Sequence, residues 1–124
     1  MKSVQFCGYR WDVKVTALYK VLMAHKHTED EAVEEAEMAT DHIFDNSDIE
    51  YCEESEVKVK QGKHFDTVMI RLDLRMNVTA HDVDDAYGEA YGMVSDIELP
   101  PNVTLEDAEP YYAERDTEEI LEAM

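Results

Sequence analysis

Histidines next to carboxylates are the residues of this chain whose types and spacing could support chemistry. His25 and His27 are two positions apart, and carboxylates such as Asp30 and Glu31 follow them closely. Imidazole and carboxylate groups at such a spacing are ligands for zinc and other divalent cations. No third histidine lies near them in the sequence, since the others are isolated: His42, His64 and His81. A solvated turn therefore explains this segment better than a metal centre does, and we expect neither a metal nor another cofactor.

Nucleophilic and acid–base catalysis are not indicated either. No serine lies between the flanking glycines of a strand–turn–helix elbow. Cys52 is followed by two glutamates, which raise the pKa of a thiol and reduce its reactivity. Adjacent carboxylates such as Glu34 and Glu35 share one solvated surface, whereas acid–base catalysis needs two carboxylates in different environments. We therefore predict no catalytic residues and a protein that is not an enzyme.

Charge is distributed very unevenly along the chain. Of the 30 carboxylates, 13 lie in residues 28–56, where there is no lysine or arginine. Another 14 lie in residues 76–124, against a single arginine. The lysines and arginines fall mostly in residues 2–26 and 58–75. This segregation predicts a molecule with one strongly anionic side and one mildly basic side.

The net charge of −19 limits the classes of partner. It disfavours binding to DNA or to anionic membranes and favours basic protein surfaces. Three explanations compete: a solvated acidic surface with no specific partner, mimicry of a nucleic acid's charge, and adaptation to high salt. Lysine is not depleted relative to arginine, which argues against the third explanation.

The length of the chain predicts a single domain over residues 1–124. We expect this domain to lie in the cytoplasm, for three reasons. No apolar run approaches the ~20 residues of a membrane span. The first nine residues lack the charged region and apolar core of a signal peptide. Cys7 and Cys52 follow no disulfide or metal-binding pattern, as is typical of reduced cytosolic thiols.

Alternation of apolar and polar residues predicts four strands. Residues 12–23 and 65–76 alternate most regularly, whereas the strand over 49–60 bulges or loops at Glu53 to Glu56. A short fourth strand covers 103–108. We expect the N-terminal piece, 4–11, to add an edge strand or cover a sheet face, and the acidic tail, 113–124, to end in a short helix.

Two helices follow from capping signals and helical spacing. Thr28 and Glu31 form a capping-box pattern before a helix over 29–44. The second helix is expected to begin at Thr79, with Asp82 at the capping-box position, and to end before Pro100. The apolar stripes expected to face the sheet include Val33, Ala36 and Thr40 in the first helix, and Val83, Ala86, Tyr87, Ala90 and Val94 in the second.

The order of these elements predicts an α+β protein, a ferredoxin-like βαββαβ sandwich with a four-stranded antiparallel sheet and both helices on one face. Its halves, about 12–60 and about 65–108, resemble each other at an offset of about 50, which suggests an internal duplication.

This fold would separate two surfaces. The helices would present carboxylates to a partner: Glu34, Glu35, Asp41, Asp84, Asp85 and Glu89. The uncovered sheet face would carry cations and a methionine: Lys14, Lys20, Met69, Arg71 and Arg75. No aromatic residue occupies its central positions for stacking on RNA bases, so we expect this face to contact the acidic tail or a second copy of the chain, and the alternative is a solvated face with scattered charges.

The sequence thus favours a non-enzymatic, acidic protein-interaction module that binds a basic protein surface and forms a homo-oligomer. Its most specific version is a nucleic-acid mimic, as in small proteins of phages or mobile elements that block DNA-binding enzymes. Two alternatives stay open. The first is an enzyme or small-ligand domain, which a concave pocket at His64 or Arg71 would favour, and the second is a structural or assembly protein.

Overall fold

The computed structural model describes residues 4–123, with side chains for residues 7–116. The elements are β1 (Val4–Ala24), α1 (Glu29–Asp41), β2 (Glu50–Gln61), β3 (Phe65–Ala80), α2 (Val83–Ser95) and β4 (Val103–Ala123). The four strands form one antiparallel sheet in the order β2-β3-β1-β4. The protein is therefore of the α+β class predicted from the sequence.

Strict alternation in the two central strands builds the core on one face of the sheet. In β1 the odd positions from Trp11 to Met23 are buried, and in β3 the even positions from Asp66 to Ala80 are buried. Both helices pack on this side through buried small residues, and Trp11 closes one end of the core by donating a hydrogen bond from Nε1 to the Ala80 carbonyl (2.9 Å). The opposite parity forms an uncovered surface, which we call the open face.

The helices are shorter than predicted, and their buried stripes are shifted. Thr28 is the N-cap of α1, as predicted, and its hydroxyl accepts from the Glu31 amide (3.2 Å). The N-cap of α2 is Asp82 and not Thr79, which still belongs to β3. The residues that face the sheet are Ala32, Ala36 and Thr40 in α1, and Ala86, Ala90 and Val94 in α2.

Val33 and Val83 were therefore placed wrongly: Val33 is half-buried, and Val83 is 39% exposed. The offset of about 50 between the halves paired Ala36 with Ala86, whereas Ala36 and Ala90 occupy equivalent positions after their caps. In α2 the physical reason is the cap, since a helix that starts after Asp82 and not after Thr79 turns different side chains towards the sheet. In α1 the cap was right, but the small Ala32, and not Val33, takes the buried position one turn before Ala36.

The predictions for both chain ends were wrong. The N-terminal piece forms no separate strand, because it continues β1, which is 21 residues long. The acidic tail is not helical, because β4 runs on to Ala123 and pairs with the first residues of β1. It therefore lies at the edge of the sheet and does not dock on the open face. Pairing with β1 outweighs the helical preference of the tail's glutamates and alanines.

The second strand matches its prediction closely. It spans Glu50–Gln61, and its register against β3 shifts between Tyr51 and Glu53 and again between Glu54 and Glu56. These register shifts confirm the bulge predicted at Glu53 to Glu56. They also disrupt the free edge of the sheet, which discourages another chain from pairing there.

Candidate functional site

The helical carboxylates predicted as partner contacts are exposed on the outer surface of the two-helix layer. Burial of one small-residue stripe per helix turns the opposite side of each helix to solvent. Neither helix has a basic residue in its last turn. We call these six residues the acidic helical surface: Glu34, Glu35, Asp41, Asp84, Asp85 and Glu89.

This surface keeps most of its charge uncompensated. Glu35 is the one member with an ion pair among the described residues, to Lys26 at 3.2 Å. Between α1 and β2, burial and the carboxylates Glu37 and Asp41 raise the pKa of Glu54. Cations approaching this side of the molecule would therefore meet unpaired negative charge.

The open face carries the predicted cations, but several are already neutralised within the chain. Arg75 forms two hydrogen bonds to Asp12, from Nε to Oδ1 (2.8 Å) and from Nη2 to Oδ2 (2.6 Å). Glu56 lies 3.1 Å from Lys58 and 3.5 Å from Arg71, and the hydrogen bond from Lys58 contributes most to lowering the pKa of Glu56. These pairs are partly exposed, so each adds little to stability.

The other predicted residues of this face differ in their surroundings. Lys14 lies over the ring of Tyr112, 5.0 Å from its centroid. Lys20 is exposed, has no ion pair among the described residues, and lies opposite Met69 in the strand register. Met69 is half-buried. The sequence missed the carboxylates that β2 and β4 place beside these cations, such as Glu53 and Glu109.

Aromatic side chains do reach the open face, although not at its centre. Tyr111 is 52% exposed and Phe65 is 61% exposed. Burial, followed by the carboxylate of Asp73 and other negative groups, raises the pKa of Tyr111. The carboxylates beside Tyr111 would repel phosphate groups, which disfavours the stacking of nucleic-acid bases on this ring.

The depression that contains Arg71 is small. Its volume is about 160 Å³, and Leu18, Glu56, Lys58 and Met69 complete its lining. Sites for small molecules are usually ~300–1,000 Å³. The polar groups in this depression already pair with one another, so it does not provide the convergent, unpaired groups that would favour a ligand site.

Two larger grooves lie at the far end of the sheet. Their volumes are about 370 and 390 Å³, and both include Arg10 and Asn77. In the first groove carboxylates and arginines are mixed, and Arg115 stacks over the ring of Tyr9 at 4.4 Å. The charges in this groove favour no single kind of ligand.

A buried carboxylate near the predicted histidine segment was missed by the sequence reasoning. Asp66 is fully buried and accepts hydrogen bonds from His25 Nδ1 (2.8 Å) and from the Lys26 amide (2.8 Å). Two further donors are Gln61 Nε2 (3.2 Å) and the Gly62 amide (3.3 Å). The signal was an acidic residue at a core position of an alternating strand.

This network fastens the loop after β1 to the β2–β3 turn. Burial by itself raises the pKa of Asp66, but the hydrogen bonds from Lys26, His25 and Gln61 outweigh it and hold the pKa at about 2. Within the part of the chain that the structure describes, no hydroxyl or thiol is hydrogen-bonded to His25.

The histidines, cysteines and carboxylates of the described residues were also candidates for metal binding and thiol chemistry. Residues 7–116, whose side chains are described, contain no group of three His, Cys, Asp or Glu residues arranged to hold a metal ion. Cys7 and Cys52 do not form a disulfide with each other. Burial, and then Glu50, raises the pKa of Cys52, so the direction predicted from its neighbours is right although Glu50 replaces them as the acidic cause. Among the described residues, no helix is long and apolar enough to cross a membrane.

Comparisons of the chain with protein-family models, curated proteins and solved structures found no match.

Proposed function

We propose that this chain is a non-enzymatic interaction module with a ferredoxin-like fold, in which the acidic helical surface binds a basic surface of a partner protein. The observation that carries the proposal is the exposure of six helical carboxylates, of which only Glu35 has a cationic partner in the described chain. The element order and the sheet order β2-β3-β1-β4 support the fold name. Two cysteines that form no disulfide with each other support a reducing compartment such as the cytoplasm.

The most specific version of the proposal is mimicry of a nucleic acid. A rigid layer of two helices presents negative charge at fixed positions, as a phosphate backbone does, and a site built to release counterions from phosphates would accept it. The basic partner would then be a nucleic-acid-binding protein, and the chain would compete with DNA or RNA for its site.

Charge reversal on the helices tests this proposal. The triple variant Glu34→Lys, Asp84→Lys and Glu89→Lys changes only exposed helical positions. The matched control reverses three exposed carboxylates outside both helices: Asp48→Lys, Glu98→Lys and Glu106→Lys. Each protein serves as bait for a bacterial lysate at low and at moderate salt, and retained proteins are identified by mass spectrometry.

We expect the unchanged chain and the control to retain a nucleic-acid-binding protein at moderate salt, and the helical variant to lose it. Added duplex DNA should displace that partner if the surface mimics a nucleic acid. Equal retention by all three proteins would refute the assignment to the helices. Loss of every partner at moderate salt would mean that the acidity is only a solvated surface.

A further inference from the structure

The open face is polarised along its strands. Near the β2–β3 turn, the aligned open-face positions of the four strands carry lysines and no carboxylate; we call this the lysine half, Lys20, Lys58 and Lys60. Beyond Leu18, the next two aligned levels carry four carboxylates; we call this the carboxylate half, Glu50, Glu53, Asp73 and Glu109. Two cations also lie there, and both have partners within the chain: Arg75 is bound to Asp12, and Lys14 lies over the ring of Tyr112.

Exposed apolar side chains occur in both halves of this face. Leu22 (44% exposed) and Phe65 (61% exposed) lie at the end of the lysine half. Tyr111 (52%) and Tyr112 (41%) lie beside the carboxylate half. A sheet face that mixes exposed rings with separated charges has the composition of a contact surface and not of a purely solvated one.

A two-fold axis makes this polarised face complementary to itself. If the axis lies between two copies, perpendicular to the strands and close to Leu18, each lysine half covers the carboxylate half of the other copy. The level of Leu18, with Glu56, Arg71 and Asp107, then lies against the same level of the second copy. Each strand then lies over the same strand of the second copy. Leu18 lies at the level of Arg71 and Glu56. Lys58, which is also 3.1 Å from Glu56 of its own copy, lies one open-face level from there on one side, and Glu53 lies one level away on the other side. Lys58 of one copy therefore meets Glu53 of the other.

We propose that the open face is an isologous dimer interface, in which two copies pack sheet against sheet with their strands antiparallel and with Lys58 opposite Glu53 of the second copy. Isologous contacts repeat every interaction twice, so one charge pair contributes two contacts per dimer. The same arrangement brings Tyr112 of one copy towards Leu22 of the other, which covers exposed apolar surface from both halves.

A second copy fits this face better than other occupants do. Nucleic acid would be repelled by the carboxylate half, and a uniformly basic or acidic protein would be repelled by one half or the other. The net charge of −19 opposes association, but the acidic helical surfaces point away from each other in this dimer. At physiological ionic strength, charges farther apart than ~8 Å are largely screened.

The proposal is independent of the proposed function, because it uses the side of the sheet opposite the helices. A chain that dimerises but binds no partner through its helices would support the dimer and contradict the proposed function. A chain that binds such a partner but stays monomeric would do the reverse. In the dimer, the two acidic helical surfaces would face outwards and remain available for binding.

Reciprocal charge reversal tests the interface. Sedimentation velocity and light scattering on the full chain at physiological salt should show a dimer. Lys58→Glu alone would place two carboxylates opposite each other, and Glu53→Lys alone would do the same with two lysines. Each should raise the dimer dissociation constant about tenfold, which corresponds to about 1.4 kcal/mol. The double variant Lys58→Glu/Glu53→Lys should restore dimerisation, because the pair is recreated with its charges exchanged.

Matched controls separate the contact from net charge and from folding. Lys63→Glu in the exposed β2–β3 turn and Glu98→Lys before β4 make the same changes in charge outside the open face, and should leave the dissociation constant unchanged. Circular dichroism and thermal melting verify that each variant folds. A monomer at millimolar concentration, single variants that behave like their controls, or a double variant that stays monomeric would each overturn the proposal.

Discussion

At the scale of single residues, Asp66 is a buried carboxylate whose hydrogen bonds hold two turns together. It lies at a core position of β3 and links two turns through four donors: His25, Lys26, Gln61 and Gly62. A carboxylate can be buried at low cost only when its oxygens are satisfied in this way. The role of Asp66 is to fix the loop from which α1 begins.

Replacing Asp66 with Asn should lower the melting temperature by several degrees at pH 7, because an amide cannot accept all four hydrogen bonds. The pKa of Asp66 is about 2 in the folded chain, below its ordinary value of 3.8. Its contribution to stability is therefore complete above that ordinary value and disappears as the pH falls through about 2. Melting curves at several pH values should show the difference between the two proteins shrinking in this window.

The exposed carboxylate of Asp48 provides the control. Asp48→Asn should leave the melting temperature nearly unchanged at every pH. Equal effects of the two substitutions at pH 7 would show that the network around Asp66 adds nothing.

Tyr19 presents the opposite case, a buried polar group without a partner. Its side chain is fully buried, it stacks edge-to-face on Phe44 at 6.1 Å, and its hydroxyl has no hydrogen-bond partner in the described structure. Tyr19→Phe keeps the ring contact and removes the unsatisfied group, so it should raise the free energy of unfolding by about 1 kcal/mol. Urea denaturation measures this change. As a control, Tyr91→Phe at a half-exposed site should leave the free energy of unfolding unchanged. A lower free energy of unfolding for Tyr19→Phe would mean that the Tyr19 hydroxyl has a hydrogen-bond partner after all.

At the scale of elements, the two helices are built from similar parts. Each has a side-chain N-cap, an acidic first turn and a buried stripe of small residues that lets the helix approach the sheet closely. Caps and small stripes follow from local sequence, which explains why the existence of both helices was predictable. The register of the α2 stripe depends on its cap, which explains the error at Val83, whereas in α1 the small Ala32 takes the buried position in place of Val33.

Two glycines should respond oppositely to alanine. Gly88 is exposed within α2, and a Cβ there would contact nothing within 4 Å. Gly88→Ala should therefore raise the free energy of unfolding by about 0.8 kcal/mol.

In contrast, Gly8 has φ of +129°, and a Cβ would lie 2.8 Å from the Ala80 carbonyl oxygen. Gly8→Ala should cost on the order of 1–3 kcal/mol, as for other strained backbone positions. Urea denaturation of both variants provides the comparison, and equal effects would show that backbone geometry does not distinguish the two sites.

At the scale of the whole molecule, charge opposes folding. Thirty carboxylates and 11 basic residues give a net charge of −19, and the few ion pairs among the described residues compensate only locally. Sodium chloride should therefore raise the melting temperature by several degrees between ~0.01 M and ~1 M, as the Debye length falls from ~30 Å to ~3 Å. Calorimetry with sodium and choline chloride in parallel separates screening from specific cation binding; an unchanged or falling melting temperature in both salts would contradict the prediction.

Local sequence was enough for the alternating strands β1 and β3, for Thr28 as a cap and for the exposure of carboxylates such as Glu34 and Asp84, because neighbouring residues on the chain decide these features. Tertiary structure alone decided the strand conformation of the acidic tail, the burial of Asp66 and the pairing of Arg75 with Asp12, since these contacts join residues that are distant in sequence. Periodicity shows which side chains share a face. Only the register between strands shows which charges meet on it, and this register divides the open face into a lysine half and a carboxylate half.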